Sequence, residues 1–241
     1  MPQLKLQGRS IDYAVRSSKR AKRVLVKFRA DTGWEVVYPS RRRQPPPEAV
    51  LQANADWIFR TMSRLAEATA RRPARRYETG ETFHYRGKAR ALELTLYSQL
   101  PDDARSRVQL TGDRLLLACP QSAQLAERRA QVVAWYRAQA KAYLPGRARQ
   151  LAEQRGFAFG QLRIKHQKTR WGSCSAQGNL NLNLRLMMVP DAAIDYIILH
   201  ELCHLRELNH SAAFWRLVAD CCPDYDHWRA WLKENGPVLI L

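Results

Sequence analysis

The sequence of 241 residues is 46% hydrophobic and 26% charged, and it carries a formal net charge of +18 at pH 7. This length and composition are ordinary for a soluble globular protein with one large domain or two small ones. No apolar run is long enough to span a bilayer, the amino terminus has no apolar signal-peptide core, and five cysteines do not fit a disulfide framework. We therefore expect a reduced, cytoplasmic protein with no membrane partner.

Almost all of the excess positive charge lies in the first two thirds of the chain. Residues 1–160 contain 31 Lys and Arg against 14 Asp and Glu, whereas residues 161–241 contain 9 against 8. The densest basic runs are at residues 19–23, 41–43 and 71–76. This asymmetry makes nucleic acid a candidate partner of the amino-terminal region, through salt-sensitive contacts with phosphates. A solvated basic surface in an arginine-rich protein explains the same charge, and the sequence does not decide between the two.

Two strands and a helix are predicted in the amino-terminal region. Val24–Phe28 and Trp34–Tyr38 have the composition of strands, joined through a turn at residues 31–33. Glu48 to about Ala70 has helical periodicity, and residues 71–73 break that helix. We expect this region to be β-rich and basic.

The middle of the chain predicts further strands and one long helix. Glu81–Tyr97 and Val108–Ala118 have strand patterns, with a hairpin turn near Gly112. The helix is expected from about Ser122 to Gln154, with Pro145–Gly146 as a point where it can break. No internal repeat and no low-complexity linker are evident.

Strict alternation over residues 178–186 predicts a strand with one buried and one polar face, because each Leu is separated from the next by Asn or Arg. Its position makes it a candidate for the edge strand that holds an extended peptide substrate. A plain sheet strand with solvated asparagines explains the pattern equally well. The preceding segment, residues 170–173, is expected to be a loop near the cleft, with Arg170 as a candidate auxiliary residue that stabilises developing negative charge.

The most informative segment runs from His200 to His204 and has the pattern H-E-x-x-H. Two histidines four residues apart lie on the same face of a helix, so both imidazoles can hold one ion. Glu201 lies about 100° further round the helix than His200, which suits a general base that reaches a metal-bound water without being a ligand. Tyr196, one turn before His200, is a second candidate auxiliary residue.

His210 is the candidate third ligand. On an unbroken helix it would be rotated by about 240° from His204, away from the metal, so the helix must end between the two. Asn209 is a plausible stop, and Ser211 can cap a new helix that begins at Ala212. Three histidines with one open position are typical of catalytic zinc, because structural sites close all four positions.

Two blocks of the sequence resemble the YgjP-like metallopeptidase-domain proteins. The first block is residues 170–183, and the second runs from Ile194 through the H-E-x-x-H motif to Trp215. The resemblance extends more weakly to residues 20–39 and 50–65. It implies a metal-dependent hydrolase related to the Spartan/SprT-like proteases, which cleave proteins crosslinked to DNA. Glu207 stands where the metzincin pattern has glycine, so metzincin turn geometry is not expected.

From these features we expect an α+β fold. A zincin-like catalytic part, with a small sheet, the H-E-x-x-H helix and carboxy-terminal helices, would occupy residues 77–241 and follow a basic β-rich region at residues 1–76. The boundary is soft, because one continuous domain from about residue 20 to residue 241 also fits.

The expected function is that of a zinc metallopeptidase acting on a protein or peptide, with His200, His204 and His210 as Zn²⁺ ligands and Glu201 as general base. One alternative is a metal-dependent nucleoside triphosphate pyrophosphohydrolase, although the sequence has no phosphate-binding glycine loop and no carboxylate cluster for magnesium. Another alternative is a DNA-associated protease or a nucleic-acid-binding module.

Overall fold

The computed structural model describes residues 2–19, 21–29, 33–40, 44–70, 75–98 and 107–241. The protein is a mixed α+β structure with small sheets and helices, and it divides into two compact units, residues 1–71 and residues 72–241. Arg20, the predicted turn at residues 31 and 32, the basic run at residues 41–43 and the helix-breaking residues 71–73 lie outside the described residues. None of the described helices has the length and apolar content needed to cross a membrane.

The first unit contains a four-stranded sheet and two helices. Its strands, in the spatial order β1-β2-β4-β3 with β2 and β4 parallel, are β1 (Gln3–Leu6), β2 (Arg9–Ser18), β3 (Leu25–Arg29) and β4 (Gly33–Pro39). The sequence predicted β3 and β4 but missed β1 and β2. Helices α1 (Pro47–Ala53) and α2 (Ala55–Ala70) replace the single predicted helix. They separate at Asn54, whose Nδ2 donates to the Val50 carbonyl at 2.8 Å and competes with the helical hydrogen bonds.

The second unit begins with another four-stranded sheet. Its strands, in the order β5-β6-β8-β7 with β6 and β8 parallel, are β5 (Thr82–Tyr85), β6 (Lys88–Tyr97), β7 (Arg107–Thr111) and β8 (Arg114–Pro120). The predicted turn near Gly112 is confirmed. The strand pattern predicted over residues 81–97 forms two strands, β5 and β6. Arg86 and Gly87 adopt positive φ angles of 49° and 77° and form a two-residue hairpin turn between β5 and β6.

The two four-stranded sheets have the same construction. Strand order matches, and the strands contain 4, 10, 5 and 7 residues in both. A two-residue turn with positive φ angles follows the first strand of each sheet, at Gln7-Gly8 and at Arg86-Gly87. In both cases a helix follows the last strand. We call residues 3–70 the first module and residues 82–154 the second module, and this likeness is one of structure that the sequence does not make evident.

Helix α3 (Leu125–Gln154) closes the second module and continues through Pro145 without a break. Tyr136, Ala140, Leu144 and Ala148, spaced four residues apart, are all fully buried. This buried face spans the proline, so packing on both sides of it outweighs the one backbone hydrogen bond that proline removes.

A three-stranded sheet follows, formed by β9 (Leu162–Lys165), β10 (Gly172–Cys174) and β11 (Leu180–Asn183) in the order β10-β11-β9. The strand predicted over residues 178–186 is β11, which is central in the sheet, so the expectation of an edge strand there is wrong. It is also shorter than predicted, since residues 184–188 form a buried 3-10 helix. Asn183 causes this ending because its side chain accepts from the Arg185 amide at 3.1 Å.

Three helices complete the fold: α4 (Asp191–Cys203), α5 (Ala212–Cys221) and α6 (Tyr225–Asn235). Helix α4 is buried along most of its length in the large core of the second unit. Two bidentate ion pairs hold its first half. Arg86 of the hairpin turn contacts Asp191 at 2.6 and 2.7 Å, and Arg147 of α3 contacts Asp195 at 2.7 and 2.6 Å. The position of α4 is therefore fixed before its functional residues begin.

Candidate metal centre

The structure brings His200, His204 and His210 together. Helix α4 ends at Cys203, and His204 is its C-cap, so the chain leaves the helix earlier than the stop predicted at Asn209. Asn209 has no positive φ angle. The turn that follows is closed by hydrogen bonds from the amides of Arg206 and Glu207 to the Cys203 carbonyl. As predicted, Ser211 then caps α5, its Oγ accepting from the Phe214 amide at 3.3 Å.

The three imidazoles offer nitrogens that converge on one point. Nε2 of His200 lies 3.1 Å from Nε2 of His210, and one nitrogen from each of the three histidines lies within 4.8 Å of the others. Two nitrogens on a tetrahedral zinc ion are about 3.3 Å apart, given zinc–nitrogen distances of about 2.0–2.1 Å. The donor set therefore fits a divalent metal that prefers imidazole.

Neighbouring groups orient these rings. Nδ1 of His204 is 2.9 Å from the Glu207 carbonyl, which leaves Nε2 of His204 directed at the shared point. The Phe214 ring stacks on His204 with centroids 4.5 Å apart, and the Trp215 ring lies 5.7 Å from His210. Both aromatic residues belong to α5, so the helix that Ser211 caps also supports two of the rings.

Burial keeps His200 in the form that binds a metal. Desolvation first, and then the nearby His204, His210 and Arg229, together lower the pKa of His200 to about 3. Its imidazole is consequently neutral at physiological pH, which a metal ligand requires. Arg229 of α6, which stacks over Trp215 at 4.6 Å, was not identified from the sequence because it lies far along the chain from the motif.

Glu201 is buried beside the histidines, with 6% of its surface exposed. Desolvation raises the pKa of its carboxyl to about 7, while the backbone N–H of Cys174 and the charge of Arg170 act in the opposite direction. A carboxylate with a pKa near 7 both accepts and releases a proton readily at neutral pH, as a general base must.

Strand β10 lies directly against this carboxylate. A Cβ atom on Gly172 would be only 2.7 Å from Cγ and Oε1 of Glu201, so only glycine leaves room for the side chain. The Asn183 amide donates to the Trp171 carbonyl and the Ser175 amide donates to the Asn179 carbonyl. In an antiparallel ladder the peptide groups of Gly172 and Cys174 therefore point away from β11, and the Cys174 N–H reaches Glu201. Sequence reasoning placed this segment near the cleft but as a loop, and it missed the role of the glycine.

These residues line an open cleft of about 440 Å³. The rest of its wall includes Arg170, Ser173, Cys174 and Leu208. Leu208 is 64% exposed, which is high for a leucine, and it lies in the turn between the second and third histidines. The cleft therefore combines three imidazoles, one carboxylate, one guanidinium and an exposed apolar side chain.

The two candidate auxiliary residues occupy different positions. Arg170 lines the cleft. Tyr196 is buried behind His200, with ring centroids 5.9 Å apart, and it does not line the cleft. Desolvation raises the pKa of Tyr196 to about 12, so its hydroxyl stays protonated. Its location suits support of the His200 ring better than contact with a substrate.

Comparison with known proteins adds a family match. The family described as YgjP-like, metallopeptidase domain, matches residues 22–235. A crystal structure of the metallopeptidase zymogen of Pyrococcus abyssi abylysin aligns with a TM-score of 0.35 at 20% identity, over 40% of this chain and 98% of that one. No curated protein matches the chain.

Proposed function

This chain belongs to the YgjP-like metallopeptidase-domain family, a family of metallohydrolases, and from that premise we propose that it is a zinc-dependent peptidase with a zincin-like site. The observation that carries the proposal is the convergence of three imidazoles beside a buried carboxylate whose pKa is about 7. The family implies a metal ion. We propose zinc because three imidazole nitrogens with one open position are its usual catalytic donor set.

His200, His204 and His210 would hold the ion. When bound, the ion would make a nearby water more acidic and polarise the carbonyl of the scissile peptide bond. The lowered pKa of His200 favours this binding because its imidazole is already neutral, and the contact between His204 and the Glu207 carbonyl favours it because the His204 ring is already oriented.

Glu201 would act as the general base. Its carboxylate takes a proton from the attacking water, the water oxygen forms a bond to the carbonyl carbon, and the carbon–nitrogen bond breaks. Glu201 then returns the proton to the leaving amine, so no proton or charge is left over. The Cys174 N–H and the space left by Gly172 hold the carboxylate in one place during both transfers.

The substrate would be an extended segment of a protein or peptide. The outward peptide groups of β10 other than the Cys174 N–H, which Glu201 already holds, offer main-chain hydrogen bonds to an added strand, and Leu208 offers an apolar contact at the rim. This role belongs to β10, an edge strand, rather than to β11, where the sequence placed it.

We also propose single-stranded nucleic acid as a partner of the first unit. Phe28 and Trp57 are 39% and 42% exposed there, and both rings contact the buried Trp34, at 5.1 and 5.6 Å. Arg60 and Arg64 are exposed and follow Trp57 at helical spacing along α2. Exposed rings beside cations bind single strands by stacking and by charge. The basic amino-terminal region would thus bring the peptidase to nucleic acid.

The first test compares the zinc-loaded wild type with Glu201→Gln on an unfolded protein substrate. We expect cleavage by the wild type and loss of cleavage by at least about a hundredfold in the variant, because removal of a general base typically costs that much. Zinc content should be unchanged, since the substitution leaves the three histidines intact. Equal cleavage by both proteins would contradict the assignment of Glu201. Release of pyrophosphate from a nucleoside triphosphate, without peptide cleavage, would replace the peptidase proposal with the nucleotide alternative.

The same assay tests the nucleic-acid partner when single-stranded DNA is added over a range of salt concentrations. We expect DNA to stimulate cleavage less as salt rises, because phosphate contacts release counterions. Trp57→Ala should weaken DNA binding, whereas Leu96→Ala, which removes a similarly exposed apolar residue from the second unit, should not. DNA binding that is weakened neither by rising salt nor by Trp57→Ala would contradict this part of the proposal.

A second experiment tests whether β10 positions the base. Gly172→Ala places a methyl group where Glu201 now lies, and a displacement of about 1 Å at a catalytic group can cost about a hundredfold in activity. We expect kcat/KM to fall to that extent while zinc affinity stays unchanged, because the ligands lie on other elements.

Gly160→Ala is the matched control for this experiment. Its Cβ would lie 2.6 Å from Oδ1 of Asn179, an equally close contact at a position away from the cleft. This control should lower stability without lowering kcat. Equal losses of activity in Gly172→Ala and Gly160→Ala would mean that the effect comes from general disturbance of the fold.

A further inference from the structure

A second cavity in the second unit lies apart from the catalytic cleft and shares no lining residue with it. It has a volume of about 300 Å³. Five polar side chains line it, together with residues 240 and 241: Arg129, His166, Gln167, Lys168 and Arg185. No Asp or Glu side chain is among these residues. The cavity is therefore cationic in composition.

The wall of the cavity is rigidly built around Arg185. This residue is 7% exposed, and its guanidinium donates to the carbonyls of Leu239 and Lys168 at 3.1 and 3.3 Å. The guanidinium also lies 4.7 Å from the centre of the Trp171 ring. Asn183, fully buried, donates to the Gln167 carbonyl at 2.7 Å and so fixes the segment that carries Lys168. A ligand would meet the Arg185 guanidinium already in place, with the exposed side chains of Arg129 and Lys168 at the rim.

The positive charges act together inside the cavity. The pKa of His166 is lowered, first by desolvation and then by the charges of Arg129, Arg185 and the nearby Arg137. Arg129 also donates to the Leu241 carbonyl at 3.4 Å. A main-chain carboxylate at residue 241 would cancel one of the three lining cations and leave the cavity positive.

We propose that this cavity binds a phosphate group, as inorganic phosphate or as the phosphomonoester of a small molecule. Two guanidinium groups and an ammonium group around a confined space match the several acceptor oxygens and the double charge of phosphate. The volume is at the lower end of the range for small-molecule pockets, about 300–1,000 Å³, which favours a phosphate with a small substituent over a polymer. The proposal does not depend on peptidase activity and goes beyond it.

Calorimetric titration of the zinc-loaded chain with inorganic phosphate, and separately with glycerol 3-phosphate, tests this site. We expect saturable binding with one site per chain. Lys168→Ala should weaken it about tenfold or more, because it removes a charge-assisted hydrogen bond from an exposed residue that the fold does not need. Arg163→Gln, which removes a charge from the neighbouring strand β9 outside the cavity, should leave the affinity unchanged.

The His166 imidazole gives a second readout that requires no variant. A bound phosphate offsets the surrounding cations, so the pKa of His166 followed by NMR should rise when phosphate is added. Binding should also persist after zinc is removed with a chelator, which separates this site from phosphate on the metal.

Comparable affinity for both probes would support inorganic phosphate as the ligand, and preference for glycerol 3-phosphate would support a phosphomonoester. The proposal is overturned by absence of saturable binding, by binding that Lys168→Ala does not change, by binding lost on chelation, or by binding of oligonucleotides alone.

Discussion

The first and second modules have the same strands in the same order, and in the second module the turn after the first strand contacts the elements that carry the candidate metal centre. In the second module the hairpin turn contacts the 3-10 helix that precedes α4, since the amides of Arg86 and Gly87 donate to the carbonyls of Met187 and Met188 at 2.8 and 3.3 Å. In the first module the equivalent turn, Gln7-Gly8, is exposed, and nothing lies within 4 Å of a Cβ built on Gly8. The same local fold therefore supports the candidate site in the second module, while its turn in the first module is exposed.

The contacts of the second module explain why the H-E-x-x-H helix is held so firmly. Arg86 pairs with Asp191 at the first turn of α4 and lies over the Tyr143 ring at 4.2 Å. Arg147 of α3 pairs with Asp195 one turn later. These contacts fix the amino-terminal half of α4, and the histidines follow at its other end. The first module has charge and exposed aromatic rings instead, which is the basis of its proposed role with nucleic acid.

Substituting the two equivalent turn glycines, Gly8 and Gly87, measures how much the contacts of the Arg86-Gly87 turn contribute to stability. Gly8→Ala and Gly87→Ala both force alanine into a positive φ angle, 82° and 77°, at a cost of about 1 kcal/mol. At Gly87 the added Cβ would also lie 2.9 Å from Cγ and 3.0 Å from Cα of Pro190. We expect Gly87→Ala to lower the free energy of unfolding by about 1–3 kcal/mol more than Gly8→Ala, because it overpacks a docked interface.

Urea denaturation of both variants, with zinc loss followed in parallel, makes this comparison. Gly87→Ala should weaken zinc retention as well as stability, whereas Gly8→Ala should leave zinc retention at the wild-type level. Equal effects on stability and zinc in the two variants would mean that the second module does not support α4.

The repeat of the module was not visible in the sequence because the equivalent buried positions of β4 and β8 share hydrophobic character and not residue identity. Trp34 and Leu115, Val36 and Leu117, and Tyr38 and Cys119 are buried pairs at matching positions, yet no pair has the same residue. Hydrophobic character alone fixes which face of a strand is buried, so very different side chains build the same sheet. Strands β1 and β2 form a local hairpin through Gln7-Gly8, and they were missed because their buried apolar pattern is short, with only Ile11 and Tyr13 of β2 buried.

Some residues of the candidate site could be predicted from their spacing in the sequence, whereas the positions of others depend on tertiary packing. The positions of His200, Glu201 and His204 follow from helical geometry, and Ser211 was recognised as a cap from its residue type. The closeness of Gly172 to Glu201 depends on how β10 lies against α4, which no local pattern specifies. The end of β11 at Asn183 likewise depends on a side-chain hydrogen bond to the next turn, where alternation alone predicted a longer strand.

The smallest expected difference between the modules concerns the first residue of each turn. Gln7 and Arg86 have similar φ angles, 44° and 49°, so replacing each with alanine leaves the backbone contribution matched. Arg86→Ala additionally removes the ion pair with Asp191 and the contact with Tyr143. Because the side chains of Arg86 and Asp191 are 36% and 51% exposed, water and salt screen their attraction. We expect Arg86→Ala to lower the free energy of unfolding by at most about 1 kcal/mol more than Gln7→Ala does, and most of that difference to disappear in high salt.

Thermal unfolding at low and high salt measures this difference between the two variants. Arg86→Lys, which keeps the charge without the bidentate geometry, should recover only part of the lost stability. A difference in stability that persists in high salt would assign the stabilisation to stacking of Arg86 on Tyr143. No difference at any salt concentration would mean that the backbone hydrogen bonds to Met187 and Met188 alone hold the turn in place.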